Sequence, residues 1–220
     1  MLELFQKGGP TMYALLLLSV AALAVMVERV LVLYRARTHT ETFMARVASA
    51  LEAQRYEEAL EAAQAGGGAM ARILTSGLEK IRRGRSEVER AIESRGNLEV
   101  AKLERGLDLL QAVAKTAPLL GFFGTVAGMI KAFEAMGRAG LGDPAQVAFG
   151  ISEALITTAA GLLIAIPVFF VHSLFVGKVN RFVLELEENS IRFLEALEEA
   201  EAQQARRLVR DQIGGEYLEV

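Results

Sequence analysis

Three long apolar stretches constrain this chain more than any other feature. The first runs from Met12 to Tyr34 and is broken only by Glu28-Arg29. The second runs from Leu109 to Met136, with Lys115 and Lys131 near its ends. The third runs from Val147 to Val176 and is uncharged except for Glu153. A helix needs about 20 residues to cross ~30 Å of hydrocarbon. Ala154–Val176 meets that length. The second stretch meets it between its lysines, which can snorkel outward. The core of the first, Met12–Val27, is slightly short. It reaches a full span when Glu28 and Arg29 sit at the interface or against other helices. Lys7 and Ala22-Leu23-Ala24 could be read as a cleavable leader. The apolar run continues past that point, and two more spans follow, so the stretch is read as a membrane helix.

Composition narrows the function classes. Hydrophobic residues make up 52% of the 220 positions while charged residues still make up 23%. Such a chain must segregate the two kinds, which excludes disorder and disfavours an ordinary soluble domain. A net charge of −3 and a pI near 5.6 give no case for nucleic acid. With no Cys, disulfides, Cys-ligated zinc, iron–sulfur clusters and thiol catalysis are excluded. His39 and His172 are too far apart in sequence to suggest a His-based metal site. No cofactor motif and no nucleophile–base pair is visible, so no enzymatic role is expected.

Basic residues orient the spans. Arg29, Arg35 and Arg37 follow the first, Lys102, Arg105 and Lys115 precede or open the second, and Lys178 and Arg181 follow the third. The connection between the second and third holds only Arg138 and Asp143, with Lys131 at its edge. Residues ~36–110 and the C-terminal tail are therefore expected in the cytoplasm, with the N-terminus and the 137–143 loop outside.

The cytoplasmic segments read as helical. Thr40–Gln64 is rich in Ala, Glu and Leu and is broken by Gly66-Gly67-Gly68. A further helix is expected to about Arg83, stopped by Gly84. Ser86-Glu87-Val88-Glu89 has the spacing of a capping box. One helix is expected from about Ser86 to about Met136, with Pro118 as its candidate kink. Asp143, Pro144 and Gln146 suit the N-cap, N1 and N3 positions of the third span's helix, which should run to about Arg210. A membrane helix can absorb Pro167.

The chemistry lies in two segments, Thr116–Ile130 and Gly150–Pro167. Gly121, Gly124, Thr125 and Gly128 fall on one helical face, and Gly150, Ala154, Thr157, Gly161 and Ala165 do much the same. Small residues let helix backbones approach closely in lipid. An acid within a span costs ~3 kcal/mol and tends to face a cavity or a partner. Glu153 is such an acid. It could instead sit at the outer interface, paired with Lys131 or Arg138. Ideal helical angles place Thr157 on its face and Thr158 about 140° away. His172, near the cytoplasmic end of the span, reads as an interfacial hydrogen-bonding residue.

The runs A-P-L-L-G-F-F-G-T-V-A-G-M-I from Ala117 and G-I-S-E-A-L-I-T-T-A-A-G-L-L-I-A-I-P from Gly150 resemble the second and third membrane helices of the ExbB/TolQ family, relatives of the MotA flagellar stator subunit. A MotA-like subunit would need four spans, so that branch fits less well. The resemblance implies an all-α, polytopic membrane protein with three transmembrane helices, two of them extending far into the cytoplasm as a helical bundle. It divides the chain into an outside segment and first span (1–35), a cytoplasmic helical region (36–108), a second span (109–136), a short periplasmic loop (137–146), a third span (147–177) and a cytoplasmic helix and tail (178–220).

The resemblance further implies a proton-driven motor subunit of the bacterial inner membrane, without a cofactor. It would form a homopentamer around an ExbD/TolR-like dimer whose Asp titrates, and it would serve a TonB- or TolA-like protein. The family's polar lining falls on Thr125, Glu153 and Thr158, whereas helical angles favour Thr157; both threonines stay candidates. Gly121, Gly124, Gly128, Gly161, Pro118 and Pro167 are the helix-packing candidates. A non-conducting scaffold is the rival reading. The TonB and Tol-Pal branches, and protons and sodium, are not separated at this level.

Overall fold

The computed structural model describes residues 2–36, 40–139 and 144–216. Among them every regular element is helical. The order is α1 (Leu2–Lys7), α2 (Thr11–Ala36), α3 (Thr40–Glu52), α4 (Tyr56–Ala65), α5 (Gly68–Leu78), a 3₁₀ turn (Ile81–Arg83), α6 (Arg85–Glu104), α7 (Leu107–Ala139) and α8 (Pro144–Glu216). Three helices are long and apolar enough to cross a bilayer, and they carry the three stretches read from the sequence. The two later ones greatly exceed the ~20 residues a span requires: α7 has 33 residues and α8 has 73. Pro118 and Pro167 both sit inside continuous helix.

The chain forms two compact units. One comprises residues Met1–Leu31 and Glu104–Lys178; the other comprises Val32–Leu103 and Val179–Val220. In the first unit, α2, α7 and the N-terminal half of α8 pack around Leu15, Ala117 and Ala165, with Met12, Leu18, Leu120, Ala160 and Ile164 against them. Its centre uses small side chains because the helices meet backbone to backbone. A Cβ added at Gly161 would lie 2.6 Å from the Ala117 carbonyl oxygen, and one at Gly128 would lie 2.7 Å from that of Gly150. Gly150 in turn faces Ala132. Large apolar residues point away from this seam: Leu17, Leu23, Phe122, Phe123, Phe133, Leu163, Ile166 and Phe170 are all exposed. An outer surface of this kind suits lipid or further helices.

Arg29 takes the second of the two options open to the first span. It is 3% exposed, its Nη2 donates to the Glu28 carboxylate at 2.7 Å, and its Nε lies 3.7 Å from where a Gly106 Cβ would sit. Arg29 thus packs at the turn that opens α7, while Glu28 stays exposed.

The second unit gathers α3 to α6 and the C-terminal part of α8 around Val47, Leu51, Ile73, Leu74, Val88, Ile92, Val179, Phe193 and Leu197. Here the expected helices are subdivided. The Thr40–Gln64 run breaks at residues 53–55, where Gln54 adopts φ 57° and its amide donates to the Ala200 carbonyl at 3.3 Å. The Ser86–Met136 run breaks at Arg105-Gly106, not at Pro118. Gly106 has φ +83°, and Val25 lies close against it. The capping box does not form. The Gly84 carbonyl accepts from the Glu87 and Val88 amides, so α6 starts one residue before Ser86, and Glu89 binds Arg85 instead. The Gly66–Gly68 and Gly84 breaks fall as expected. Asp143, the expected N-cap of α8, lies outside the described residues, as do His39 and the side chain of Arg138.

Candidate functional site

The seam between α7 and α8 brings the candidate residues into one antiparallel ladder. At its outermost rung, Glu153 is 4% exposed, and Lys131 Nζ donates to its Oε1 at 2.5 Å. Of the two cations open to Glu153, Lys131 pairs with it, and the side chain of the other, Arg138, lies outside the described residues. The Lys131 side chain is about half-exposed, at 51%.

One turn along α8, Thr157 is completely buried. Its hydroxyl donates to the backbone carbonyls of Glu153 at 3.1 Å and Ala154 at 2.8 Å. The reason is Gly124, whose missing Cβ leaves the space the Thr157 side chain fills. Thr158 points elsewhere: its hydroxyl donates to the Gly121 carbonyl across the seam at 3.2 Å and stays half-buried. Gly121 permits this contact, since a Cβ there would lie 2.9 Å from the Thr157 carbonyl and 3.1 Å from the Thr158 Cα. Thr125 Oγ1 donates to the Phe122 carbonyl in its own helix at 2.6 Å and is also half-buried. The glycines thus act twice, closing the helices together and making room for hydroxyls.

The ladder therefore carries all four polar candidates but does not gather them at one point. Glu153 and Thr157 share a face, as helical angles require, but Thr157 is sealed into the packing. Thr125 and Thr158 are only half-buried. Gly161 abuts Ala117 and Gly121 and carries no polar group of its own. Among the described residues no group of three or more His, Asp or Glu gathers as a metal site would require. His172 is half-buried.

One neighbour of Glu153 could not be read in advance. The Gly8-Gly9 turn joining α1 to α2 lies on its carboxylate, and a Cβ at Gly9 would come within 3.0 Å of Glu153 Cδ. Gly8-Gly9-Pro10 is legible in the sequence as a helix break, but nothing in it tells where the turn lands.

Comparison with known proteins covers this ladder. The model of the MotA/TolQ/ExbB proton channel family matches residues 66–188, which include Thr125, Lys131, Glu153, Thr157 and Thr158. The chain belongs to the MotA/TolQ/ExbB proton channel family. It is 32% identical over 187 residues to a putative biopolymer transport protein ExbB homolog of Methanothermobacter thermautotrophicus, covering 84% of this chain and 66% of that relative. It is 30% identical over 181 residues to biopolymer transport protein ExbB of Neisseria meningitidis serogroup A, covering 74% and 81%. A shorter match, 41% identical over 91 residues, covers 41% of this chain and 40% of the Tol-Pal system protein TolQ of Haemophilus influenzae. As a member of this family the chain is a multi-pass membrane protein, and it spans just under two thirds of the length of the first of these relatives.

Proposed function

We propose that this chain is the channel subunit of an inner-membrane motor, in which proton flow drives movement of an ExbD/TolR-like partner. The observation that carries the reading is a carboxylate, Glu153, buried within an apolar helix of a proton-channel family member. A buried acid in a span is costly, and a proton path is a function that makes use of it. Protons would pass near Glu153, Thr125 and Thr158, where hydroxyls and a carboxylate hand them on by hydrogen bonding. Thr158 suits the lining better than Thr157, because the residue is half-buried while Thr157 is fully enclosed. The exposed apolar surface of the membrane unit suits a ring of copies, a homopentamer in this reading, surrounding the partner. A unit charge falling through 100 mV releases ~2.3 kcal/mol, which would turn or shift the partner's helix. The work would serve TonB-dependent import or Tol-Pal envelope maintenance. The basic residues flanking the spans favour an N-terminus in the periplasm and a C-terminus in the cytoplasm.

The non-conducting scaffold keeps one observation in its favour. Glu153 already has a cationic partner within its own protomer and could serve as an anchor. Cells carrying Glu153→Ala in place of the native chain separate the two. The expected result is normal assembly with its partner, read by native mass spectrometry, and loss of energised transport or envelope integrity. Normal energisation by this variant would remove Glu153 from the proton path.

A further inference from the structure

The carboxylate of Glu153 is held from two sides. On one side is Lys131, on α7. On the other is the α1–α2 turn, where Gly9 has φ +65° and its backbone covers the carboxyl group. Any side chain at position 9 would need both a left-handed backbone and the space the carboxylate occupies, so only glycine fits. Neighbouring contacts fix the turn in place. Gly8 is buried, and a Cβ on it would lie 2.8 Å from the Met12 sulfur and 3.2 Å from Ile156 Cγ2. The Met12 amide donates to the Gly9 carbonyl at 3.2 Å, and the Phe5 and Tyr13 rings meet edge to face at 5.1 Å, tying α1 to α2.

We infer that Lys131 and the Gly8-Gly9 turn form a clasp that closes the Glu153 carboxylate within the protomer and must open before that carboxylate exchanges with anything outside it. A 4%-exposed carboxylate has no direct route to water. An ion pair with one half-exposed partner is weak, so Lys131 latches the group and does not lock it. Lys131 is a positioning residue: its ammonium holds the Glu153 carboxylate in place beneath the turn. The inference rests on the proton-path reading for its purpose. The clasp itself is defined by geometry and can be tested separately.

The test is labelling of Glu153 by dicyclohexylcarbodiimide, a lipid-soluble reagent for protonated, accessible carboxyl groups. The full chain is reconstituted in vesicles and the adduct counted by mass spectrometry. Wild type should label slowly. Lys131→Gln, which alters a half-exposed side chain and leaves the seam intact, should label faster by roughly fivefold or more. Lys131→Arg should stay close to wild type. Gly9→Val should also label faster, since the turn can no longer lie on the carboxylate. Equal labelling of wild type and Lys131→Gln overturns the clasp. Equal labelling of wild type and a folded Gly9→Val chain removes the turn from it. If labelling follows the clasp while Glu153→Ala cells stay energised, the clasp stands and the proton-path reading falls.

Discussion

Among the described residues each of the two compact units buries one glutamate, and they hold it in different ways. In the unit built from α3 to α6, Glu99 is 1% exposed and receives three cations. Arg72 donates to both its oxygens, at 3.0 and 2.6 Å, Lys102 Nζ donates at 2.9 Å, and Arg95 Nε lies 3.3 Å from Oε1. In the membrane unit, Glu153 receives one cation and a glycine turn. Burial pushes the Glu99 carboxyl upward, but its bonds to Arg72 and Lys102 prevail and hold it down at about 2. Arg72 is correspondingly pushed up by its hydrogen bond to Glu99. Several donors make a permanent charge that organises a helical bundle. At Glu153, among the described side chains, Lys131 alone donates, and to one oxygen. The two sites differ in the number of donors and not in their exposure, since Arg72 and Lys102 are as exposed as Lys131.

The comparison can be strained at several points. The largest effect should come from the seam itself. Gly161→Val places atoms against the Ala117 carbonyl, and nothing there can yield without parting α7 from α8. A loss of at least about 3 kcal/mol is expected, seen as failure to recover a stable chain in detergent. Next comes Glu99→Gln, which leaves three cations facing one neutral amide. The expected cost at neutral pH is about 3 kcal/mol, read by denaturant unfolding of the full chain. The sign with pH follows from the depressed carboxyl. Its contribution is complete above about pH 4.5 and is lost as pH falls toward about 2. The difference between wild type and Glu99→Gln should therefore shrink across that window; a constant difference would mean that Glu99 is not the group responsible. The smallest effect should be Lys131→Gln, below about 1 kcal/mol and less than that of Arg72→Gln in the same assay. Equal costs for the two would erase the distinction between lock and latch.

Much of the architecture was legible because lipid and turn chemistry act locally. The three spans follow from apolar length, and the breaks at Gly66–Gly68 and Gly84 and the start of α8 at Pro144 follow from residues at those positions. The breaks at Gln54 and Gly106 were not legible, because distant residues set them: the Ala200 carbonyl holds one and Val25 presses on the other. Pro118 drew attention as a kink only because the competing site required knowledge of packing. The same limit applied at the candidate site. Helical angles put Glu153 and Thr157 on one face correctly, but they could not show that Gly124 makes room for Thr157 in the seam. Lys131 was one of two possible partners until the register of α7 on α8 placed its ammonium on Oε1. The Glu99 cluster gave no sequence signal, since three of its members look like solvated charges on a helix.

Proton uptake by vesicles containing this chain and its ExbD/TolR-like partner tests the central claim most directly, with Glu153→Gln and Glu99→Gln compared under an imposed potential. The account predicts that Glu153→Gln silences uptake while a folded Glu99→Gln chain still conducts. Unchanged uptake in the Glu153→Gln chain would contradict it.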